Sequence, residues 1–211
     1  MFSGLVRKIA KVTKLENSIL TLHTDYHPNI GDSIAVNGVC LTVIKCLNDG
    51  FSLELSLHTQ KIIAMERFKI GSSVHIEPAL KASDRLDGHF VQGHIDGIGN
   101  IKDIKPIANQ TEIIIQTTPQ ILSFCIPKGS ISIDGISLTL GEIREETFKL
   151  VLIPHTLENT LFKEYRKGMR VNIETDMIVR SISHLLQKQN LFQKTHLAFD
   201  WKMIDGINLF Y

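Results

Sequence analysis

The chain repeats itself at a spacing of 97 residues. Ile34-Ala35-Val36-Asn37-Gly38-Val39-Cys40-Leu41-Thr42-Val43 returns as Ile131-Ser132-Ile133-Asp134-Gly135-Ile136-Ser137-Leu138-Thr139-Leu140, and the register then runs without a gap to Glu77 and Glu174. Identities along it include Ser33/Ser130, Gly38/Gly135, Thr42/Thr139, Phe51/Phe148, His58/His155 and Gly71/Gly168. So long a period fits duplication of a whole small domain rather than a solenoid or propeller unit. The length of 211 residues leaves room for two such domains and a tail.

Period-two alternation dominates each copy. Phe51, Leu53, Leu55 and Leu57 share one face of an expected strand, and Phe148, Leu150 and Leu152 repeat the pattern. Asn37-Gly38 and Asp134-Gly135 are type I′ hairpin signals, because both central residues of that turn need positive φ. Many short strands between Gly, Asn, Asp and Pro predict an all-β fold, a small closed barrel in each half. Short helices are expected around 60–67 and 157–165, and the polar stretch from Ala79 to Gly88 reads as the linker. From Asp176, placed to cap a first turn, the apolar residues Ile178, Ile182, Leu185 and Leu186 fall at helical spacing. A lone amphipathic helix after two barrels is expected to pair with its copies in other subunits. Residues 191–211 hold Phe192, Phe199, Trp201, Phe210 and Tyr211, five of the fourteen aromatics, so this tail should pack on something.

With 23 basic and 22 acidic side chains, the chain carries no electrostatic footprint for nucleic acid or anionic membrane. No apolar run reaches the ~18 residues of a membrane span, and the start at Met1-Phe2-Ser3 lacks the pattern of a signal peptide. Three cysteines at unpatterned spacing argue against a disulfide framework, and a reducing cytoplasm is the expectation.

Chemistry is sought where the copies disagree. Cys40 faces Ser137 across the repeat. Aligning Phe2-Ser3-Gly4-Leu5-Val6 with Val91-Gln92-Gly93-His94-Ile95 sets Leu5 against His94. Two similar pockets with different polar groups suit two molecules of one kind handled differently, one as donor and one as acceptor. Blander readings stand beside this one. Cys40 amid Val39, Leu41 and Val43 resembles a buried structural thiol, and Asp176 a simple helix cap. His89 and His94, with Asp87 and Asp96, offer a metal-ligand grouping, but no third His or Cys lies at ligand spacing.

Five stretches carry a resemblance: Met1–Val6, the Asn-Gly-Val-Cys-Leu-Thr-Val and Asp-Gly-Ile-Ser-Leu-Thr-Leu pair, Gly-His-Phe-Val-Gln-Gly-His-Ile-Asp-Gly, and Ile-Pro-His-Thr-Leu. In that order they resemble riboflavin synthases of the alpha-subunit type, a family of lumazine-binding double barrels, over residues 1 to about 186. Gln92 stands where the family often has Ser, and Asp87 where Gly is common. The resemblance implies two six-stranded Greek-key barrels in tandem plus a C-terminal helix, divided as 1–89, 90–186 and a terminal segment 187–211. It implies a cofactor-free transferase, without metal, that dismutates two molecules of 6,7-dimethyl-8-ribityllumazine to riboflavin and 5-amino-6-(D-ribitylamino)uracil. The implied assembly is a cytoplasmic homotrimer with its active site between neighbouring subunits, and association with lumazine synthase is a further implied partnership. A non-catalytic lumazine or flavin carrier on the same fold is the alternative.

Carried over position by position, the first pocket would use Gly4, Leu5, Val6, Cys40, Leu41, Thr42, Glu54, Leu55, Ser56, Leu57, His58 and Thr59. The second would use Gly93, His94, Ile95, Lys128, Ser137, Leu138, Thr139, Leu152, Ile153, Pro154, His155, Thr156 and Leu157. Catalytic roles would fall to His94 as general base or proton shuttle, to Cys40, Ser137 or a water for the transient nucleophile, to Thr139 for positioning the adduct, and to Asp176.

Overall fold

The computed structural model describes residues 1–196, with side chains as far as Lys188. Six strands, β1 (Lys8–Glu16), β2 (Ile19–His23), β3 (Ser33–Val36), β4 (Val39–Leu47), β5 (Gly50–Glu54) and β6 (Ser73–Pro78), close into an antiparallel barrel in the order β1-β2-β5-β4-β3-β6. Six more, β7 (Gly97–Ile107), β8 (Gln110–Gln116), β9 (Ser130–Ile133), β10 (Ile136–Ile143), β11 (Thr147–Leu152) and β12 (Arg170–Thr175), close in the matching order β7-β8-β11-β10-β9-β12. This is the same Greek-key path twice. Alternation along each strand sends Leu20, Leu22, Phe51, Leu53 and Ile76 into one barrel and Ile113, Ile115, Phe148, Leu150 and Ile173 into the other. Register shifts between Val12 and Lys14 and between Ile101 and Asp103 bend the long first strand of each barrel, which helps so few strands to close.

Both expected hairpin turns form. Asn37 and Gly38 have φ of 43° and 79°, Asp134 and Gly135 45° and 83°. The turns meet back to back: a Cβ on Gly38 would lie 2.7 Å from the Gly135 nitrogen. A pseudo-two-fold axis therefore passes between these glycines, and buried polar groups pair around it. Asn37 Oδ1 accepts from the His75 amide at 2.8 Å, and Asp134 Oδ1 from the Asn172 amide at 2.7 Å. Each central side chain then reaches into the opposite barrel. Asn172 Oδ1 accepts from the Ala64 amide at 2.8 Å, and His75 Nε2 from the Leu161 amide at 2.8 Å. With Nε2 accepting, the proton sits on Nδ1, which donates to the Asp134 carbonyl at 3.1 Å. Burial lowers the His75 pKa to about 3 and, against the pull of nearby Arg67, raises that of Asp134 to about 6.

The strand expected over Phe51–Leu57 stops at Glu54. Ser56 instead caps α1 (Leu57–Ile62), its Oγ accepting from the Thr59 amide at 3.1 Å, and Leu57 turns out to solvent. The helices expected at 60–67 and 157–165 start earlier and are each broken in two. α1 gives way to a 3₁₀ turn at Met65–Phe68, and after the short α2 (Pro119–Leu122), α3 (Pro154–Asn159) gives way to one at Leu161–Glu164. The break has a cause: Ala64 and Leu161 spend their amides on Asn172 and His75. Asp176 directly precedes α4 (Met177–His196), a unit of its own, whose stripe of Ile178, Ile182, Leu185 and Leu186 is exposed. No described helix is long and apolar enough to cross a membrane. Phe199, Trp201, Phe210 and Tyr211 of the aromatic tail, and the side chain of Phe192, lie outside what the structure describes.

Candidate functional site

The segments before β1 and β7 are straps rather than barrel strands. They meet at one bridge, the Phe2 amide donating to Val91 O at 2.7 Å and the Val91 amide to Phe2 O at 3.1 Å. Phe2 is buried against Val91 and Ala35. Beyond the bridge each strap docks on the barrel that its own chain direction does not lead into. The Ser137 amide donates to Gly4 O at 2.8 Å, and the Cys40 amide to Gly93 O at 2.9 Å. Glycine is required at both contacts, where φ is +77° and +81° and a Cβ would come within 2.6 Å of Ser137 Cβ or 2.5 Å of Cys40 Cβ.

This exchange corrects the expected grouping. Gly4, Leu5 and Val6 belong with the Ser137 end of barrel two; Gly93, His94 and Ile95 belong with the Cys40 end of barrel one. The sequence alignment of the straps was right as to equivalence, but equivalence does not say on which barrel each is laid.

At the first end, Val39, Cys40, Thr59, Ile62, Gly93, His94 and Ile95 line a cavity of about 220 Å³. His94 is exposed and Cys40 half-buried. Burial pushes the Cys40 thiol up in pKa, against a smaller opposing effect of the Ser33 hydroxyl, so the sulfur is protonated at neutral pH. A cleft of about 320 Å³ at the other strap runs along Val6, Arg7, Lys8 and Ile9 beside Glu158 and Asn159 of α3; it shares only the counterparts of Ile95 and Ile62 with the Cys40 cavity, and Ser137 does not line it. Asn159 Nδ2 donates to the His155 carbonyl at 2.8 Å; Ile62 holds its place in barrel one, leaving His58 without a matching amide.

Ser137 has a partner that sequence reasoning did not supply. His89 Nδ1 lies 2.7 Å from Ser137 Oγ, the ring is buried, and its Nε2 has no hydrogen-bond partner among the described residues. Burial lowers the His89 pKa and the Asp176 carboxylate partly restores it, so a neutral imidazole sits on the serine with an acidic group nearby. His89 and Ser137 are 48 residues apart, and local sequence carried no signal of their contact.

Strand alternation sorts the remaining candidates. Ser137 and Thr139 stand two apart on β10, as Cys40 and Thr42 do on β4, and so share a face. Lys128, with φ of +65°, donates its amide to Leu140 O at 2.9 Å beside that strand. Leu41, Leu55 and Leu152 point into the barrel cores, and Leu138 packs against one, so none offers its side chain to an outer pocket. Glu54, Ser56, Leu57, His58, Ile153, Pro154 and His155 are exposed, with Thr59, Thr156 and Leu157 partly so. The grouping of Asp87, His89, His94 and Asp96 does not assemble: His89 serves Ser137, and Asp96 accepts from the Thr175 amide and hydroxyl at 2.7 Å. Among the described residues, no three His, Cys, Asp or Glu side chains come close enough to hold a metal ion. A wider cleft, about 590 Å³, follows the linker past Arg7, Glu77 and Arg85, and neither Cys40, Ser137, Leu5 nor His94 lines it.

Comparison with known proteins gives the family. The lumazine binding domain model matches twice, over residues 3–79 and 92–176. A riboflavin synthase of Actinobacillus pleuropneumoniae is 36% identical over 211 residues, covering 95% of this chain and 97% of its own. The riboflavin synthase of Bacillus subtilis (strain 168) is 36% identical over 199 residues, covering 90% and 92%. Among solved structures, LumP complexed with riboflavin superposes with a TM-score of 0.74 at 20% identity, over 83% of this chain and 99% of that one, and LumP complexed with 6,7-dimethyl-8-(1'-D-ribityl) lumazine with 0.72 at 18% over the same shares. At that identity the likeness speaks for the fold. Its relatives and its doubled domain place this chain in the riboflavin synthase family of lumazine-binding proteins.

Proposed function

We propose that the chain is a riboflavin synthase, a transferase that moves a four-carbon unit between two molecules of 6,7-dimethyl-8-ribityllumazine to give riboflavin and 5-amino-6-(D-ribitylamino)uracil. The observation that carries this is the unequal equipment of two equivalent ends. Both carry a threonine, Thr42 or Thr139, but one has Cys40 and His94 and the other has Ser137 with the His89 imidazole seated on it. A protein that only held two ligands would have no use for the difference.

In this reading each barrel end takes one lumazine, its ring against the strap glycine and the outward face of β4 or β10. His94 removes a proton from the 7-methyl group of one molecule. Ser137 adds at C7 of the other, or Ser137 or Cys40 orients a water that does, its proton passing to His89. For Ser137 the proton released as the Oγ–C7 bond forms passes to His89 Nδ1, and the electron pair of the ring π bond moves into the conjugated pteridine. Thr139 and Lys128 steady that adduct, and Asp176 steadies the imidazolium. Holding two copies of one ring face to face supplies much of the rate.

The barrel ends are shallow for a ligand of this size, the cavity at Cys40 being about 220 Å³. A neighbouring subunit closing over them completes the site, so the assembly is a homotrimer joined through α4, with the barrel of residues 1–89 in one subunit facing that of 90–186 in the next. The cytoplasm is its compartment and lumazine synthase its associate. Incubating the protein with 6,7-dimethyl-8-ribityllumazine alone should produce riboflavin, followed by its absorbance and by an equal amount of the diaminouracil. The alternative is a lumazine or flavin carrier on the same fold; ligand bound without product would establish that one.

A further inference from the structure

Two buried carboxylates hold the straps, and they do so across the boundary between the barrels. Glu174 on β12 is 1% exposed. Its Oε1 accepts from the Gln92 amide at 2.7 Å and its Oε2 from the Gly93 and His94 amides at 2.8 and 3.1 Å. Glu77 on β6 is 3% exposed. Its Oε1 accepts from the Ser3 amide at 2.8 Å and the Ser3 hydroxyl at 2.7 Å, and its Oε2 from the Gly4 amide at 3.1 Å. A buried carboxylate taking three protein donors is among the stronger ways to fix a backbone segment, because every bond is charge-assisted. The segment so held belongs to neither barrel's sheet. Its far edge receives the amide of Cys40 or of Ser137 from the opposite barrel.

We propose that Glu174, a residue of barrel two, is the positioning residue for the Cys40–His94 site on barrel one, and that Glu77 of barrel one serves the Ser137–His89 site on barrel two in the same way. Each carboxylate sets where its strap lies, and the strap sets the separation of His94 from Cys40 or the footing of Ser137. The roles of Cys40, His94 and Ser137 rest on the function proposed above; the crossed control of the two sites does not.

The test uses the full chain in a Cys46→Ser background, which removes the exposed thiol and leaves Cys40 as the accessible one beside buried Cys125. Glu174→Gln keeps the shape and one acceptor oxygen but turns an amide NH₂ toward backbone donors. The rate of Cys40 modification by a disulfide reagent is followed across pH. Loosening of the strap should raise the limiting rate at high pH about tenfold, the effect expected of one or two lost charge-assisted bonds. Loss of the nearby negative charge alone would only move the midpoint. Glu77→Gln should leave that limiting rate unchanged while lowering kcat for riboflavin formation. Glu174→Gln should lower kcat more than it alters KM. An unchanged limiting rate in Glu174→Gln, or an equal rise in both variants, would overturn the crossed assignment. If Glu174→Gln does not fold, hydrogen exchange in the unaltered protein decides: strong protection of the Gln92, Gly93 and His94 amides supports the clamp, and exchange at free-chain rates rejects it. A protein that makes no riboflavin yet shows the crossed thiol pattern would fail the function and keep the clamp.

Discussion

His94 and Leu5 hold equivalent places on the two straps, and nothing else about the straps differs so much in chemistry. Replacing His94 by Ala removes an exposed imidazole whose own backbone remains held by Glu174, so the fold should be unaffected. Turnover should fall by on the order of a hundredfold or more, the usual share of a general acid–base group, while lumazine affinity, read by fluorescence titration, changes little. A large loss of thermal stability instead would make His94 a structural residue. At this scale the sequence was half informative. Cys40 against Ser137 and His94 against Leu5 could be read off the repeat, because substitution between equivalent positions is visible in one chain. The His89–Ser137 contact could not, because it is made by chain crossing. Glycine at position 88 permits that crossing: a Cβ there would stand 2.0 Å from Ser3 O.

The straps are the elements on which the sites turn, and their glycines make them testable. Gly93→Ala would drive a methyl group to 2.5 Å from Cys40 Cβ at a φ of +81°. The left-handed backbone alone is worth about 1–2 kcal/mol against a residue with a Cβ, and the steric clash adds to it. The variant should therefore melt several degrees lower by calorimetry and lose turnover beyond what its folded fraction explains. Gly31→Ala, with nothing within 4 Å of the new methyl and a comparable φ of +90°, should share the lower melting but not the extra loss of turnover. Strands were legible from alternation wherever both faces had a defined fate, as in Phe51–Leu53 and Phe148–Leu152. The pattern misled at Leu55–Leu57, where Ser56 offers a helix cap that outcompetes the next ladder bond. It was silent about the break at Ala64, whose cause is the side chain of Asn172 in the other barrel.

Across the whole molecule, the polar seam on the pseudo-two-fold axis sets the response to acid. His75, held near 3, binds its proton only when unfolded, so its contribution is complete above about 6.5 and is lost as pH falls toward 3. Asp134, raised to about 6, works the other way: its stability is complete below about 3.8 and is lost as pH rises through 6. Between roughly 4 and 6 the two slopes, each about 1.4 kcal/mol per pH unit, largely cancel. Below 4 the His75 slope stands alone. Denaturant titrations should show a seam contribution nearly flat from pH 6 to 4 and falling steeply below. His75→Asn, which recreates the Asn172 side of the seam, should abolish that steep fall at modest cost near neutrality; an unchanged acid limb would reject the assignment. The proposed trimer is tested on the same scale. Leu185→Asp sets a charge in the exposed stripe of α4 and should shift sedimentation toward monomer and cut turnover, because each site would lose its covering subunit. The doubled architecture was plain in the 97-residue register; the exchange of straps was not, since similarity within a chain carries no information on which half touches which.

The contact of Gly38 with Gly135 has a consequence for how such a chain can change over time. Neither position can gain a side chain unless the other backbone retreats, so a single nucleotide change at either codon meets a barrier that only a paired event could pass. The hub of the molecule thus admits no side chain at either glycine, and the chemistry by which the halves differ stands away from it, at the rims.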